Sequence, residues 1–227
     1  MKAAKEGRTT PRLIAFDMDG TLFAGRVIYN LAQRLGFSPE LEKISPAGSP
    51  KYVRSREIAK LLEGLRVSEF TEVVEGMQLM DGAAEAIEML REQKYIIGII
   101  SDSYTLATGI LARKLKMDFH FANTLAVREG VITGELSMPM GWEKIGCPCT
   151  QSVCKRYHLI KAAERYRVEM RDTVAVGDSE ADSCMIGSAG VGIWFNAAAD
   201  GLRREGRLVV EGRDLRLVPA HLKGEPI

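Results

Sequence analysis

"LIAFDMDGTLFAG", residues 13–25, runs from four apolar residues straight into two carboxylates two positions apart, with Gly20 and Thr21 next in line. Positions i and i+2 where a strand ends share a face. Asp17 and Asp19 would therefore repel, raising one pKa, unless a cation intervenes. For a single Asp before Gly-Thr, a helix N-cap or a turn is the plain alternative. A calcium loop is excluded. It needs glycine at the sixth position and glutamate at the twelfth, and counting from Asp17 these are Leu22 and Ile28. Phosphoryl transfer through a carboxylate nucleophile makes further demands: another carboxylate for Mg²⁺, a cation, and a hydroxyl donor for the phosphoryl group.

Each demand meets a candidate farther along. Short apolar runs recur at "YIIGII" (95–100), "DTVAVG" (172–177) and "VGIWF" (191–195), and the first two end in Ser101 and Asp178. Asp182 follows in "VAVGDSEADSCM", and Lys155 opens a helical run upstream, separated from Asp178 by enough chain for one helix and one strand. Helical spacing fills the intervals: Ala83, Ile87 and Leu90 form one stripe, and Leu106, Ile110, Leu111 and Leu115 another. Alternating strands and helices with near-continuous apolar strands predict an α/β, Rossmann-like doubly wound parallel sheet. Ligands of such sheets bind beyond the carboxyl ends of the strands, where Asp17, Ser101 and Asp178 emerge.

Residues 26–78 break the alternation. "VIYNLAQRL", "YVRSREIAKLLEGL" and "SEFTEVVEGM" are helical, no credible strand separates them, and Pro39, Pro46, Gly48 and Pro50 punctuate the stretch. This predicts an inserted helical cap over 25–78, a lid on a core made of 8–24 and 79–222. "FANTLAVREGVITGEL" (121–136) reads as two β runs around Glu129-Gly130, a hairpin flap over about 119–137.

Bulk composition narrows the class. Of 227 residues, 46% are hydrophobic and 27% charged, with a net charge of +1. A neutral balance and sparse aromatics argue against nucleic acid or an acidic membrane surface as partner. No apolar run approaches the ~18 residues of a membrane span. The first ten residues lack a signal peptide's apolar centre and read as a frayed tail, so a cytoplasmic location is expected.

D-M-D-G-T-L (17–22), Ser101 after a strand, Lys155 and G-D-S-E-A-D (177–182) resemble the four motifs of the haloacid dehalogenase superfamily of phosphatases, the phosphoserine phosphatases most of all. The likeness runs on through "DTVAVGDSEADSCMIGSAGVGIWFNA" to "VEGRDLR". It implies a Mg²⁺-dependent phosphomonoesterase for a small metabolite. Asp17 would be the nucleophile and Asp19 the acid/base. Mg²⁺ would be held by Asp17, the Asp19 carbonyl and Asp178, with Asp182 behind them. Thr21, Ser101, Asp102 and Lys155 would bind the phosphate or the rest of the substrate, with Ser101 and Lys155 on the phosphoryl oxygens. A phosphotransferase or mutase using the same aspartyl-phosphate, or a catalytically silent phosphate-binding regulator, are the alternatives.

The resemblance departs at substrate recognition. Arg26 stands where the phosphoserine enzymes carry the glutamate that reads the amino group, and Ile58 falls where their lid arginine is expected, with Arg54 and Arg56 nearby. Asp102 replaces the usual glycine after the serine. Arg26 and Arg56 are accordingly assigned to the substrate, and a leaving group with its own negative charge fits better than an amine. Cys147, Cys149, Cys154 and His158 carry donor types suited to Zn²⁺, but C-x-C-x4-C-x3-H is not a standard spacing. Reduced loop cysteines are expected there, and a core-facing Cys184.

Overall fold

A computed structural model of the chain describes residues 12–44, 50–196 and 208–223. The expected tail, Pro46 and Gly48 lie outside the described residues. Strands β1 (Arg12–Phe16), β2 (Tyr95–Tyr104), β3 (Phe119–Arg128), β4 (Val131–Ser137), β5 (Thr173–Gly177), β6 (Val191–Phe195) and β7 (Leu208–Val210) form one sheet in the order β4-β3-β2-β1-β5-β6-β7. All neighbours are parallel except β3 and β4. The chain winds outward from β1 in both directions, toward β2 on one side and β5 on the other. The carboxyl end of β1 is therefore the switch point, where a crevice opens.

The reason for β1's unbroken apolar run is that both faces are covered. Ile14 and Phe16 point into a large core with Leu90, Leu111 and Val218, while Leu13 and Ala15 point into a second with Leu159, Ala175 and Met185. The first core is supplied by helices α5 (Ala83–Glu92), α6 (Thr105–Lys114) and α9 (Leu217–Lys223), the second by α7 (Lys155–Tyr166) and α8 (Ser183–Ile186). Gly98 on β2 shows how tight the sheet face is, since a Cβ there would overlap the Phe119 ring. Gly98→Ala is expected to cost about 1–3 kcal/mol by overpacking, read in urea denaturation, with part recovered by adding Phe119→Leu.

Among the described residues, the elements between β1 and α5 are helices: α1 (Val27–Leu35), α2 (Ser38–Lys43), α3 (Lys51–Lys60) and α4 (Val67–Glu75). The chain leaves and re-enters the core through adjacent backbone, with Phe23 bridged to Leu79 and the Met80 N–H donating to the Leu22 carbonyl at 2.8 Å. Leu31, Leu62 and Phe70 of this helical stretch are buried in the same core as Ile14 and Phe16.

The β3–β4 hairpin turns at Glu129 and Gly130, both with left-handed φ (50° and 78°), the conformation of a tight two-residue hairpin. Its tip pairs with the segment joining α3 to α4: Gly64 N–H donates to the Ile132 carbonyl at 2.9 Å, and Ile132 N–H to that of Leu65 at 2.8 Å.

Candidate active site

β1 delivers Asp17, whose N–H donates to the Val176 carbonyl on β5 at 2.9 Å and so fixes it beside Asp178 at the end of that strand. The chain then folds tightly: the Met18 carbonyl accepts from the N–H groups of Leu22 at 3.0 Å and Phe23 at 2.9 Å. Gly20 makes this possible. Its φ is +90°, and a Cβ on it would lie 2.5 Å from an Asp178 carboxylate oxygen. The helix-cap reading of the motif is partly realised. Asp19 Oδ1 accepts from the Val27 N–H at 3.0 Å, satisfying an otherwise orphaned donor of α1.

Lys155, first residue of α7, is fully buried. Its Nζ lies 2.6 Å from Asp17 Oδ1 and 2.5 Å from Asp182 Oδ1. Burial alone would push the ammonium toward neutrality, but Asp17 and Asp182 overrule it and hold its pKa well above the ordinary lysine value. The other oxygen of Asp182 accepts from both the N–H and Oγ of Ser179 at 3.0 Å. Asp182 thus ties Lys155 to the loop that carries Asp178. The absence of a side chain at Gly177 leaves room for it, since a Cβ there would overlap its carboxyl group.

The carboxylates outnumber their cations. Asp17, Asp178 and Asp182 each place an oxygen within 4.8 Å of the others. Burial, then the neighbouring Asp182, raises the pKa of Asp17 well above the carboxylate range, and the same causes push Asp178 up to about 6. Asp19 is pushed up to about 7, chiefly by burial. Asp178 Oδ1 is buried without a hydrogen-bond partner. Hard oxygen donors, surplus negative charge and an orphaned carboxylate oxygen suit a small divalent cation such as Mg²⁺.

Ser101 lies on β2, two residues past Ile99, which neighbours Phe16 of β1. β2 does not stop at Ile100 as its apolar run suggested. It continues to Tyr104 through an irregular pairing with β3, in which the rungs Ile100↔Phe121 and Tyr104↔Asn123 enclose unequal lengths of chain. The surplus on β2 carries Ser101, Asp102 and Ser103, as a bulge re-aims side chains. Ser101 and Thr21 are buried, and the Thr21 hydroxyl has no partner. Asp102 is half-buried and lines the pocket.

A cavity of about 390 Å³ opens above these groups, bounded by Asp17, Asp19 and Asp102 below and by Arg26, Lys51, Arg54 and Ile58 from the helical insert. Arg26 reaches to 3.9 Å from Asp178 with its side chain 47% exposed. One assignment needs correction: Arg56 is exposed and does not line the cavity, whereas Arg54, two residues earlier on α3, does. Ile58 and Ala59 are the buried residues of α3, and the phase they set points Arg54 inward and Arg56 out.

Residues that carried no sequence signal complete the walls. Asn123 Nδ2 donates to the Asp102 carbonyl at 2.6 Å and to Ser152 Oγ at 2.9 Å. Gln151, buried, lines the cavity. The loop bearing Gln151 and Ser152 receives α3: Tyr52 N–H donates to the Thr150 carbonyl at 3.1 Å, Ser55 bonds Ser152 at 3.0 Å, and Tyr52 stacks on Trp142. Lys51 of α3 pairs with Glu180 at 3.2 Å. His158 does not join the cysteines. Its ring packs on Phe121 and Tyr157, and Cys184, expected to face the core, takes that place instead.

Comparison with known proteins agrees with this architecture. A family model described as haloacid dehalogenase-like hydrolase matches residues 11–190. A phosphoserine phosphatase of Methanocaldococcus jannaschii is 30% identical over 216 residues, covering 93% of this chain and 98% of that one. A phosphoserine phosphatase of Mycobacterium tuberculosis is 37% identical over 193 residues, 83% of this chain but 45% of its own length. A solved structure described as a phospho-aspartyl intermediate analogue of phosphoserine phosphatase superposes with a TM-score of 0.79 at 28% identity, covering 96% of this chain and all of that one. With its family motifs gathered at the switch point of a seven-stranded sheet, this chain belongs to the haloacid dehalogenase-like hydrolases, as a phosphatase that resembles the phosphoserine enzymes.

Proposed function

We propose that the chain is a Mg²⁺-dependent phosphomonoesterase that works through an aspartyl-phosphate and prefers a small phosphorylated acid without an amino group. The observation that carries the reading is the wholly buried Lys155, shared by Asp17 and Asp182 beside the orphaned oxygen of Asp178. A buried lysine with that environment neutralises a carboxylate that must approach a phosphate dianion.

In this reading Asp17 attacks phosphorus in line, and the bond from phosphorus to the leaving alkoxide breaks as the bond to Asp17 forms. Asp19 gives its proton to that alkoxide. It then takes a proton from water, whose oxygen attacks phosphorus and releases inorganic phosphate and free Asp17. A pKa near 7 suits a group that must do both close to neutrality. Asp17, the Asp19 carbonyl and Asp178 would hold Mg²⁺, with Asp182 orienting them. The ion supplies charge neutralisation for the attacking and transferring oxygens. Ser101 and Thr21 offer hydroxyls to the phosphoryl oxygens, and Lys155 balances the charge of Asp17. The helical insert over 25–78 acts as the cap.

Specificity follows from the cap side. Arg26, Lys51 and Arg54 line the cavity, and a carboxylate on the leaving group pairs with them where an ammonium would be repelled. The test is phosphate release from O-phosphoserine and from phosphorylated hydroxy acids, with Mg²⁺ or EDTA. Expected is turnover only with Mg²⁺, and kcat/KM about 10-fold or more in favour of the acids lacking an amine. Arg26→Glu should invert that preference. A wild-type preference for O-phosphoserine would overturn the specificity. Slow release that accelerates with an added alcohol acceptor would identify a transferase instead.

A further inference from the structure

Four cysteines play no part in the chemistry above, yet the fold gathers them. Cys147, Cys149 and Cys154 share the loop that leads into α7, and Cys184 arrives from α8, far away in sequence. All four are free thiols, and their sulfurs lie within 4.8 Å of one another. In tetrahedral zinc-thiolate centres a Zn–S distance of about 2.3 Å places sulfurs about 3.8 Å apart. The cluster therefore needs only a small contraction to close on a metal.

Cys154 is the N-cap residue of α7, whose dipole favours negative charge there. The loop is shaped to present its sulfurs: Gly146 and Thr150 take left-handed φ of 60° and 47° on either side of Cys147-Pro148-Cys149. Four soft sulfur donors with no oxygen or nitrogen ligand select zinc over magnesium or calcium.

We infer that Cys147, Cys149, Cys154 and Cys184 bind one Zn²⁺ as a closed tetrathiolate. Four Zn–S bonds replace four S–H bonds, and the protons pass to solvent. With no open position the ion is structural. Its place in the fold gives it a task. Cys154 immediately precedes Lys155, and Cys184 follows Asp182 by two residues, so the metal staples together the two segments whose side chains meet in the Lys155–Asp182 pair. Between Cys149 and Cys154 lie Gln151, which lines the cavity, and Ser152, which bonds Ser55 and Asn123. The zinc thereby fixes the cavity wall on which α3 rests.

This inference stands apart from the phosphatase reading, because its readout is the metal itself. The full chain, expressed in zinc-supplemented medium and desalted without chelator, should carry about one zinc per chain and keep it through an EDTA wash sufficient to strip Mg²⁺. Refilled with Co²⁺, it should show the intense red-region bands and near-ultraviolet sulfur charge transfer of a tetrahedral thiolate centre. Cys149→Ser, at a half-exposed position, and Cys184→Ser should each weaken zinc retention against a competing chelator by at least about 10-fold. If a variant fails to fold, the wild-type zinc content and cobalt spectrum decide alone. Wild-type protein without zinc and without the cobalt spectrum would overturn the inference. So would undiminished zinc in both serine variants, or fewer than four titratable thiols in metal-stripped, denatured protein, which would mark a disulfide.

Discussion

Asp17→Asn is expected to lower phosphate release by at least about 10⁴-fold while leaving the fold intact. An amide cannot form the acyl phosphate. Stability should move the other way. Asp17 is buried and its charge is opposed by Asp182, so its pKa lies well above the ordinary value and its ionised form is disfavoured in the fold. In EDTA the asparagine variant should therefore melt at or above the wild-type temperature, with Lys155 still paired to Asp182. Adding Mg²⁺ should raise the wild-type Tm through ligand linkage and leave the variant nearly unmoved. Calorimetry with and without Mg²⁺, alongside the phosphate assay, checks both halves. A variant that loses activity because it unfolds would not support the assigned role.

Lys155→Met carries the second large effect, and here stability and activity fall together. The ammonium is fully buried between two carboxylates. Removing it leaves Asp17 and Asp182 buried without their cation, a loss of about 3–5 kcal/mol. A thioether of similar length limits the cavity left behind. The double variant Lys155→Met with Asp182→Asn should recover part of that stability, because one of the two carboxylates left without a cation is neutralised, yet recover none of the activity. Urea denaturation of the two variants and wild type measures this coupling directly. Equal losses in the single and double variants would show that packing, not charge, sets the cost.

How much of this was legible depends on whether the signal was local. β1, β5 and β6 were readable because both their faces are buried, so the apolar run is continuous, and because a polar residue ends each at the crevice. The run of helices α1 to α4 was readable from spacing without an intervening strand. β2 was read short: Ser101, Asp102 and Ser103 look like a loop in sequence, and only the uneven pairing with β3 keeps them extended. β7, three residues long, offers no period to detect. Arg54 and Arg56 could not be told apart, because the phase of α3 is set by the burial of Ile58 and Ala59 against neighbours the sequence does not name. Cys184 joins three cysteines some thirty residues upstream only because α7 and α8 lie side by side, and Asn123 and Gln151 acquire their places through long-range contacts alone.

The covalent step can be read directly. Substrate carrying labelled phosphate, mixed with enzyme and Mg²⁺ and quenched in acid during turnover, should leave label on the peptide that contains Asp17. The label should be released by hydroxylamine, as expected of an acyl phosphate, and be absent in Asp17→Asn. Phosphate release at full rate with no label on that peptide, or with label on Ser101 instead, would contradict a mechanism in which Asp17 is the nucleophile.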